Sequence, residues 1–472
     1  MNRLSERSRA AGQHPARFTA EAVEPLTPTR RGLLVACAFC LVASSIGLRA
    51  APVHASPASS PLHGQLDAAA ASIEARMIAW RRDIHQNPEL GNQETRTAAL
   101  VADHLRRLGY DVRERVGGTG VVAVLRGAAG PGPVVALRAD MDALPVAEPQ
   151  STPFASRVRA TWDGAEVPVM HACGHDCHTA ILMAAAEVLA AHRGALRGAV
   201  KLIFQPAEEG LPRGEIGGAR RMIDEGAFAD PKPDMVFGLH VVSALPTGTL
   251  AYRPGAALAS SDEFRIVVSG RQTHAAFPWA GVDPIVVAAQ IVSALQTIES
   301  RQVNISEPSV LSVATVNGGN RANIIPDRVT MTGTLRTMSE ERRVFMKRRV
   351  QEIIQSIAAG MDAAAQLEWL PNGYAITVNN PDLTARMLPS LQRVAGADQV
   401  RLGPPIMATE DFSFFAEQAP GLFFLVGVTP RDQDPGHAAP NHSPRFTVDE
   451  SGLLVGLRAL LHLVADTAGQ LA

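Results

Sequence analysis

Apolar side chains recur every three or four positions over Ile73–Ile84 and again over Thr95–Leu108, where the pattern stops at Gly109. That period predicts two helices that each bury one face, the second closed by its glycine. Short continuous apolar runs follow at Val121–Leu125, Val134–Leu137, Val200–Phe204, Met235–Leu239 and Leu422–Val426. With helical stretches between several of them, they predict an α/β fold, a sheet with helices on both faces. Between roughly Ala257 and Leu370 the character changes. Phe264–Val268 alternates like a half-exposed antiparallel strand. A helix over Ile285–Ile298, strands near Val310–Val316 and Val329–Leu335, and a helix over Glu341–Ala359 come next. This order predicts a small inserted ferredoxin-like α+β domain, because the α/β pattern resumes after it. The final helix is expected to open on a capping box, Thr447-Val448-Asp449-Glu450, and to bury Leu453, Leu454, Leu457, Leu460 and Leu461. Ser59–Gly64, rich in small and turn-forming residues, reads as a linker.

The first 55 residues follow a different pattern. Thr29-Arg30-Arg31-Gly32-Leu33-Leu34 leads into an apolar run to about Leu48 and then Val53-His54-Ala55. A basic segment, a short apolar segment and a small-x-small site predict an export signal cut near Ala55. The paired arginines resemble a twin-arginine signal, which carries folded proteins. The alternative is an uncleaved anchor helix, for which the run is short. The expected organisation is therefore a signal over 1–55, a main domain over 56–256 and 371–472, and an insertion over 257–370. The 472 residues fit that division better than one simple core. A net charge of −2 with interspersed signs argues against nucleic acid or an anionic membrane as partner.

Chemistry enters with His171-Ala172-Cys173-Gly174-His175-Asp176-Cys177-His178. A thiolate and an imidazole two positions apart can share one borderline-soft cation, Zn²⁺ above all. Cys173 and Cys177 are the cysteines left beyond the signal, where Cys37 and Cys40 lie, and a bridge closing so small a loop is awkward. Other metal-competent side chains follow apolar runs, where ligands of open α/β sheets gather. Val134–Leu137 leads to Asp140 and Asp142, Val200–Phe204 to Glu208 and Glu209, Met235–Leu239 to His240, and Leu422–Val426 to a loop with His437 and His442. Neighbouring residues of an extended chain point opposite ways. One glutamate of the pair can then bind metal while the other faces the metal's water as a base.

Several segments together are similar to the zinc-dependent aminoacylase/carboxypeptidase superfamily, in its amidohydrolase branch of hippurate and indole-acetyl–amino acid hydrolases. They are HQNPELGNQE (85–94), RADMDALPV (138–146), MHACGHDCHTA (170–180), FQPAEEG (204–210), FGLHV (237–241), THAAFPWAGVDP (273–284), NIIPD (323–327), ATEDFSFF (408–415) and NHSPRF (441–446). The resemblance runs from about Ile73 to the C-terminus. It implies a catalytic domain with an inserted lid and dimerisation domain, and two divalent ions per subunit, Zn²⁺ or Mn²⁺/Co²⁺. The implied ligands are Cys173, His175, Glu209, His240 and His442, with Cys173 and one carboxylate bridging. Glu208 becomes the general base. His274 matches a histidine that stabilises the transition state, often across a dimer, and Asn323 and Arg336 fall where relatives bind the substrate carboxylate. Many relatives have Gly-Gly before that histidine, where this chain has Gln272-Thr273. Asp140 is read as the carboxylate that orients His240 or His175 from behind.

The expected reaction is hydrolysis of an amide next to a free carboxylate, in N-acyl amino acids or dipeptides, in a periplasmic or secreted homodimer. Two other readings stand beside it. A cysteine amidase with Cys173 as nucleophile leaves Glu208, Glu209, His240 and His442 without a role. A non-catalytic small-ligand receptor would be expected to have lost the base or a ligand.

Overall fold

A computed structural model describes residues 60–212 and 215–469, and the expected signal with Cys37 and Cys40 lies outside the described residues. Among the described residues no helix is long and apolar enough to cross a membrane. The main sheet runs in the order Asp111–Val116, Gly120–Arg126, Ala199–Gln205, Val134–Asp140, Met235–Pro246, Gly421–Thr429, Leu250–Tyr252, Val400–Leu402. Its central strands, from Ala199–Gln205 to Gly421–Thr429, are parallel to one another, while Gly120–Arg126 and Leu250–Tyr252 flank them antiparallel. The central strands therefore deliver their carboxyl ends to one edge.

Helices Pro61–Gln86, His175–Ala191 and Ser451–Gly469 cover one face, with Leu66, Met77, Ile181, Leu182, Leu457 and Leu461 in a shared core. The His175–Ala191 helix is enclosed on nearly every side. The opposite face packs Met222, Phe412, Phe415 and Phe423.

Three expectations are corrected. Ser59–Gly64 is not a linker: the first helix starts at Pro61, and Ser60 N–H donates to His63 Nδ1 at 3.0 Å. Proline at the first helical turn needs no amide donor, so the apparent breaker is a start signal. The capping box at Thr447 does not form. The last helix starts at Ser451, whose N–H donates to Asp449 at 3.1 Å, while Glu450 pairs with Arg81 and Arg82. The Met235–Leu239 run does not end at His240. It belongs to a strand that continues to Pro246, with His240 opposite Leu425 of the Gly421–Thr429 strand.

The insertion carries an antiparallel sheet of its own, in the order Ser309–Gly318, Arg328–Thr337, Asp262–Ser269, Ala364–Trp369. Helices Pro284–Arg301 and Glu340–Gly360 pack on it around Phe264, Ile266, Ile291, Leu295, Met346 and Val350. Strand order and connections are ferredoxin-like. Both helices start on sequence-coded caps: Asp283 accepts from Ile285 N–H at 2.9 Å, and Ser339 from Arg342 N–H at 3.2 Å. Where the chain enters and leaves this sheet, Ser261 and Tyr374 pair antiparallel. Asp262 beside them is buried and held by Arg343 at 2.6 and 2.9 Å and by Lys347 at 2.9 Å.

Candidate metal centre

The centre is built on a turn only glycine can make. Gly174 has φ 95°, and a Cβ there would sit 2.3 Å from Val241 Cγ2. The turn places Cys173 just before the helix and His175 as its first residue. Cys173 Sγ lies 3.3 Å from His240 Nε2 and 3.2 Å from His442 Nε2. Donor atoms of Cys173, His175 and His240 all fall within 4.8 Å of one another, and so do those of Cys173, Glu209 and His442. His175, Glu208 and Glu209 form a third such group. Every residue predicted as a ligand thus converges on one place with the predicted base, and the thiol belongs to two overlapping triads.

Neighbouring groups fix how these side chains point. His175 Nδ1 is 3.1 Å from Asp142 Oδ1, and Asp142 Oδ2 accepts the Glu209 N–H at 2.9 Å, so one carboxylate sets both residues. His240 Nδ1 donates to Val241 O at 2.8 Å, which leaves Nε2 facing the sulfur as a lone pair. Asp140 hydrogen-bonds elsewhere: to His178 Nδ1 at 2.6 Å and to Arg138 at 2.7 Å, while His175 Nε2 is 3.7 Å away. The orienting contact expected of Asp140 on His175 is made by Asp142. His178 Nε2 accepts from Val241 N–H at 2.9 Å. Both of its nitrogens are engaged, so His178 is a brace for the strand and not a ligand.

Glu208 and Glu209 follow the Ala199–Gln205 strand in a loop rather than in extended chain, because Ala207 takes φ 54°. A left-handed alanine is costly and persists only when its surroundings over-determine it. Here Glu94 accepts the Ala207 N–H at 2.9 Å, and the Tyr374 hydroxyl donates to the Glu208 carbonyl at 2.7 Å. Behind Glu208 lie Glu410 and Asp411. Arg138 and Phe412 N–H donate to Glu410 Oε1, and Arg138, Gln205 and Ala219 N–H donate to the Asp411 oxygens.

Burial, reinforced by Glu410, Glu209 and Asp411, pushes the Glu208 carboxyl well above its usual range. Burial and the Glu209 and Glu208 carboxylates likewise push the Cys173 thiol up. For Glu209 burial pulls upward too, but His442 and His175 outweigh it and hold the group below its usual value. Asp140 and Asp142 overcome burial to raise His175 to about 10. Buried acceptors crowded around a thiol are costly unless a cation joins them. Two donor atoms have no hydrogen-bond partner, His175 Nε2 and Glu209 Oε1. Glu209 Oε1 sits 3.0 Å from His442 Nε2, but without a hydrogen bond's direction. Sulfur, imidazole and carboxylate donors, two of them orphaned and aimed inward, fit a divalent cation.

The predicted lid residues are elsewhere. His274 is exposed on a short ribbon, Thr273–His274 against Ile324–Ile325. Its Nδ1 accepts from Ala276 N–H at 3.0 Å, and its ring lies against Phe277. Asn323 is exposed beside it, its carbonyl accepting from Ala275 N–H. Arg336 donates to Met407 O at 3.0 Å. Among the described residues none of the three has a hydrogen bond or ion pair with the centre. Cys173 and Cys177 are both free thiols.

Residues 136–466 match the family model described as peptidase family M20/M25/M40. The chain belongs to that family and is a divalent-metal-dependent hydrolase. Thermostable carboxypeptidase 2 of Saccharolobus solfataricus is 41% identical over 83% of this chain and 94% of its own length. An IAA-amino acid hydrolase of Arabidopsis thaliana is 39% identical over 80% and 82%. Among solved structures, a dinuclear metal-binding peptidase of the M20 family from Bacillus subtilis superposes with a TM-score of 0.69 at 33% identity, covering 84% of this chain and 98% of that one.

Proposed function

We propose that this protein hydrolyses the amide bond of N-acyl amino acids, or of dipeptides, next to a free carboxylate. The supporting observation is the position of Cys173 Sγ, within 3.3 Å of His240 Nε2 and 3.2 Å of His442 Nε2, with both glutamates alongside. In this reading Cys173, His175 and His240 would hold one divalent ion, and Cys173, Glu209 and His442 a second. The bound ions lower the pKa of water and polarise the scissile carbonyl. Glu208, buried and held by Tyr374 through its carbonyl, takes the water's proton and returns it to the leaving amine. His274 donates to the developing oxyanion, while Asn323 and Arg336 hold the substrate carboxylate. Because these three stand apart from the centre in one chain, the reading includes a homodimer in which the lid of one subunit serves the other. The arginine-led N-terminal segment supports export to the periplasm or beyond, with cleavage near Ala55.

A panel of N-acetyl and aromatic-acyl amino acids and dipeptides, assayed with metal-loaded protein, tests the substrate class. Release of free amino acid that stops on chelation and returns with Zn²⁺, Mn²⁺ or Co²⁺ is expected. Turnover that survives chelation would favour a thiol amidase, and binding without turnover a receptor.

A further inference from the structure

The two triads are anchored unequally. His175 opens a buried helix and is set by Asp142, and His240 lies within a buried strand with its Nδ1 on Val241 O. His442, by contrast, sits in a loop with its side chain 56% exposed and its backbone at φ 71°. Its imidazole nevertheless reaches the sulfur. The residue before it explains how. Asn441 Nδ2 donates to Cys173 O at 2.9 Å and to Val241 O at 3.0 Å, while its Oδ1 accepts from Ser243 N–H at 3.3 Å. One amide group therefore joins the thiol turn, the strand of His240 and the loop of His442. Val241 O is the same carbonyl that receives the His240 Nδ1–H. A single further backbone bond, His442 N–H to Ala172 O at 2.8 Å, completes the attachment.

Resting on the two-ion reading above, we infer that Asn441 is a positioning residue for the second ion: it holds His442 against Cys173 and so sets the affinity of the Cys173–Glu209–His442 half of the centre, leaving the other half to its own anchors. No other side-chain type of this size offers two N–H donors and an acceptor in one plane. Removing it frees the loop to relax from the left-handed backbone at His442, which an L-residue adopts at a cost.

The test titrates Zn²⁺ into metal-stripped full-length protein, with calorimetry and elemental analysis as readouts. Wild type should bind two ions. Asn441→Ala should keep the first at wild-type affinity and weaken the second by about 10–100-fold, the range seen when groups supporting a ligand are removed. Retention of both affinities in Asn441→Ala, or equal weakening of both, overturns the inference. Should Asn441→Ala fold poorly, Asn441→Asp keeps the shape and the acceptor but loses both donors. It should show the same selective loss, and unchanged binding overturns the inference equally. His442→Ala separates this inference from the reading beneath it. If wild type binds no zinc, or if His442→Ala leaves the stoichiometry at two, the ligand assignment itself fails whatever Asn441 does.

Discussion

The main sheet and the inserted sheet treat their candidate functional residues in opposite ways. At the carboxyl edge of the main sheet, Cys173, His175 and Glu208 are buried, and each orienting contact is identifiable: Asp142 for His175, Val241 O for His240, Tyr374 for the Glu208 carbonyl. On the insertion, His274 and Asn323 stand exposed on a two-stranded ribbon, tied only to its own backbone. Burial with fixed neighbours is what a metal centre needs, since its donors must be held before the cation arrives. Exposure suits residues whose partner comes from outside the subunit. The two layers have separate cores, and on the reading proposed above cation binding would belong to one and substrate recognition to the other.

Substitutions can break that contrast, and the largest effects belong to the main sheet. Cys173→Ala removes the donor common to both triads and should abolish zinc retention after dialysis, together with activity. A variant that kept both ions would show that the sulfur is not shared. Glu208→Gln should lower kcat by about 10²–10⁴-fold, the usual share of general acid–base catalysis. Its metal content should stay at the wild-type level, and substantial residual turnover would remove Glu208 from the role of base. His274→Ala should lower kcat by about 10²–10³-fold, as loss of one oxyanion donor does, again with full metal content. Loss of metal in that variant would mean that the two layers are not separate. Smaller still, Asp142→Asn should weaken zinc by about 10–100-fold through its effect on His175 and the Glu209 peptide.

The smallest effect is a matter of stability at the junction of the layers. Arg343 and Lys347, working against burial, hold the Asp262 carboxyl below its usual range. A carboxyl depressed on folding stabilises above its unfolded pKa, and that contribution disappears as pH falls through the folded value. Asp262→Asn should therefore melt lower than wild type at neutral pH, by about 1 kcal/mol. The gap should close in acid, below the ordinary Asp pKa of about 3.9. A gap that persisted there would point to packing rather than charge.

Much of this was legible in the sequence because period and burial coincide. The Leu422–Val426 and Val200–Phe204 runs are strands since both faces are covered, and the alternation over Phe264–Val268 marks a sheet with one open face. Metal-competent side chains after several runs marked the candidate site, and the resemblance selected the expected ligands Cys173, His175, Glu209, His240 and His442 among them. What escaped depends on contacts between distant segments. Asp142 was visible two positions after Asp140, but nothing local says which carboxylate meets His175. Asn441 and Tyr374 act through backbone carbonyls of residues far away in the chain, which no residue pattern reports. The capping box failed because Arg81 and Arg82, from the other end of the chain, claim the glutamate it required.

The Tyr374 hydroxyl has one more implication, for recombination. This residue follows the inserted sheet, yet it grips the peptide carrying the carboxylate at 208. A graft that exchanged insertions between homologues and cut downstream of it would import a foreign residue at the host's Glu208 carbonyl. Chimeras joined upstream of Gly373 should keep the host's contact at the Glu208 carbonyl, and those joined beyond it should carry the donor's residue there.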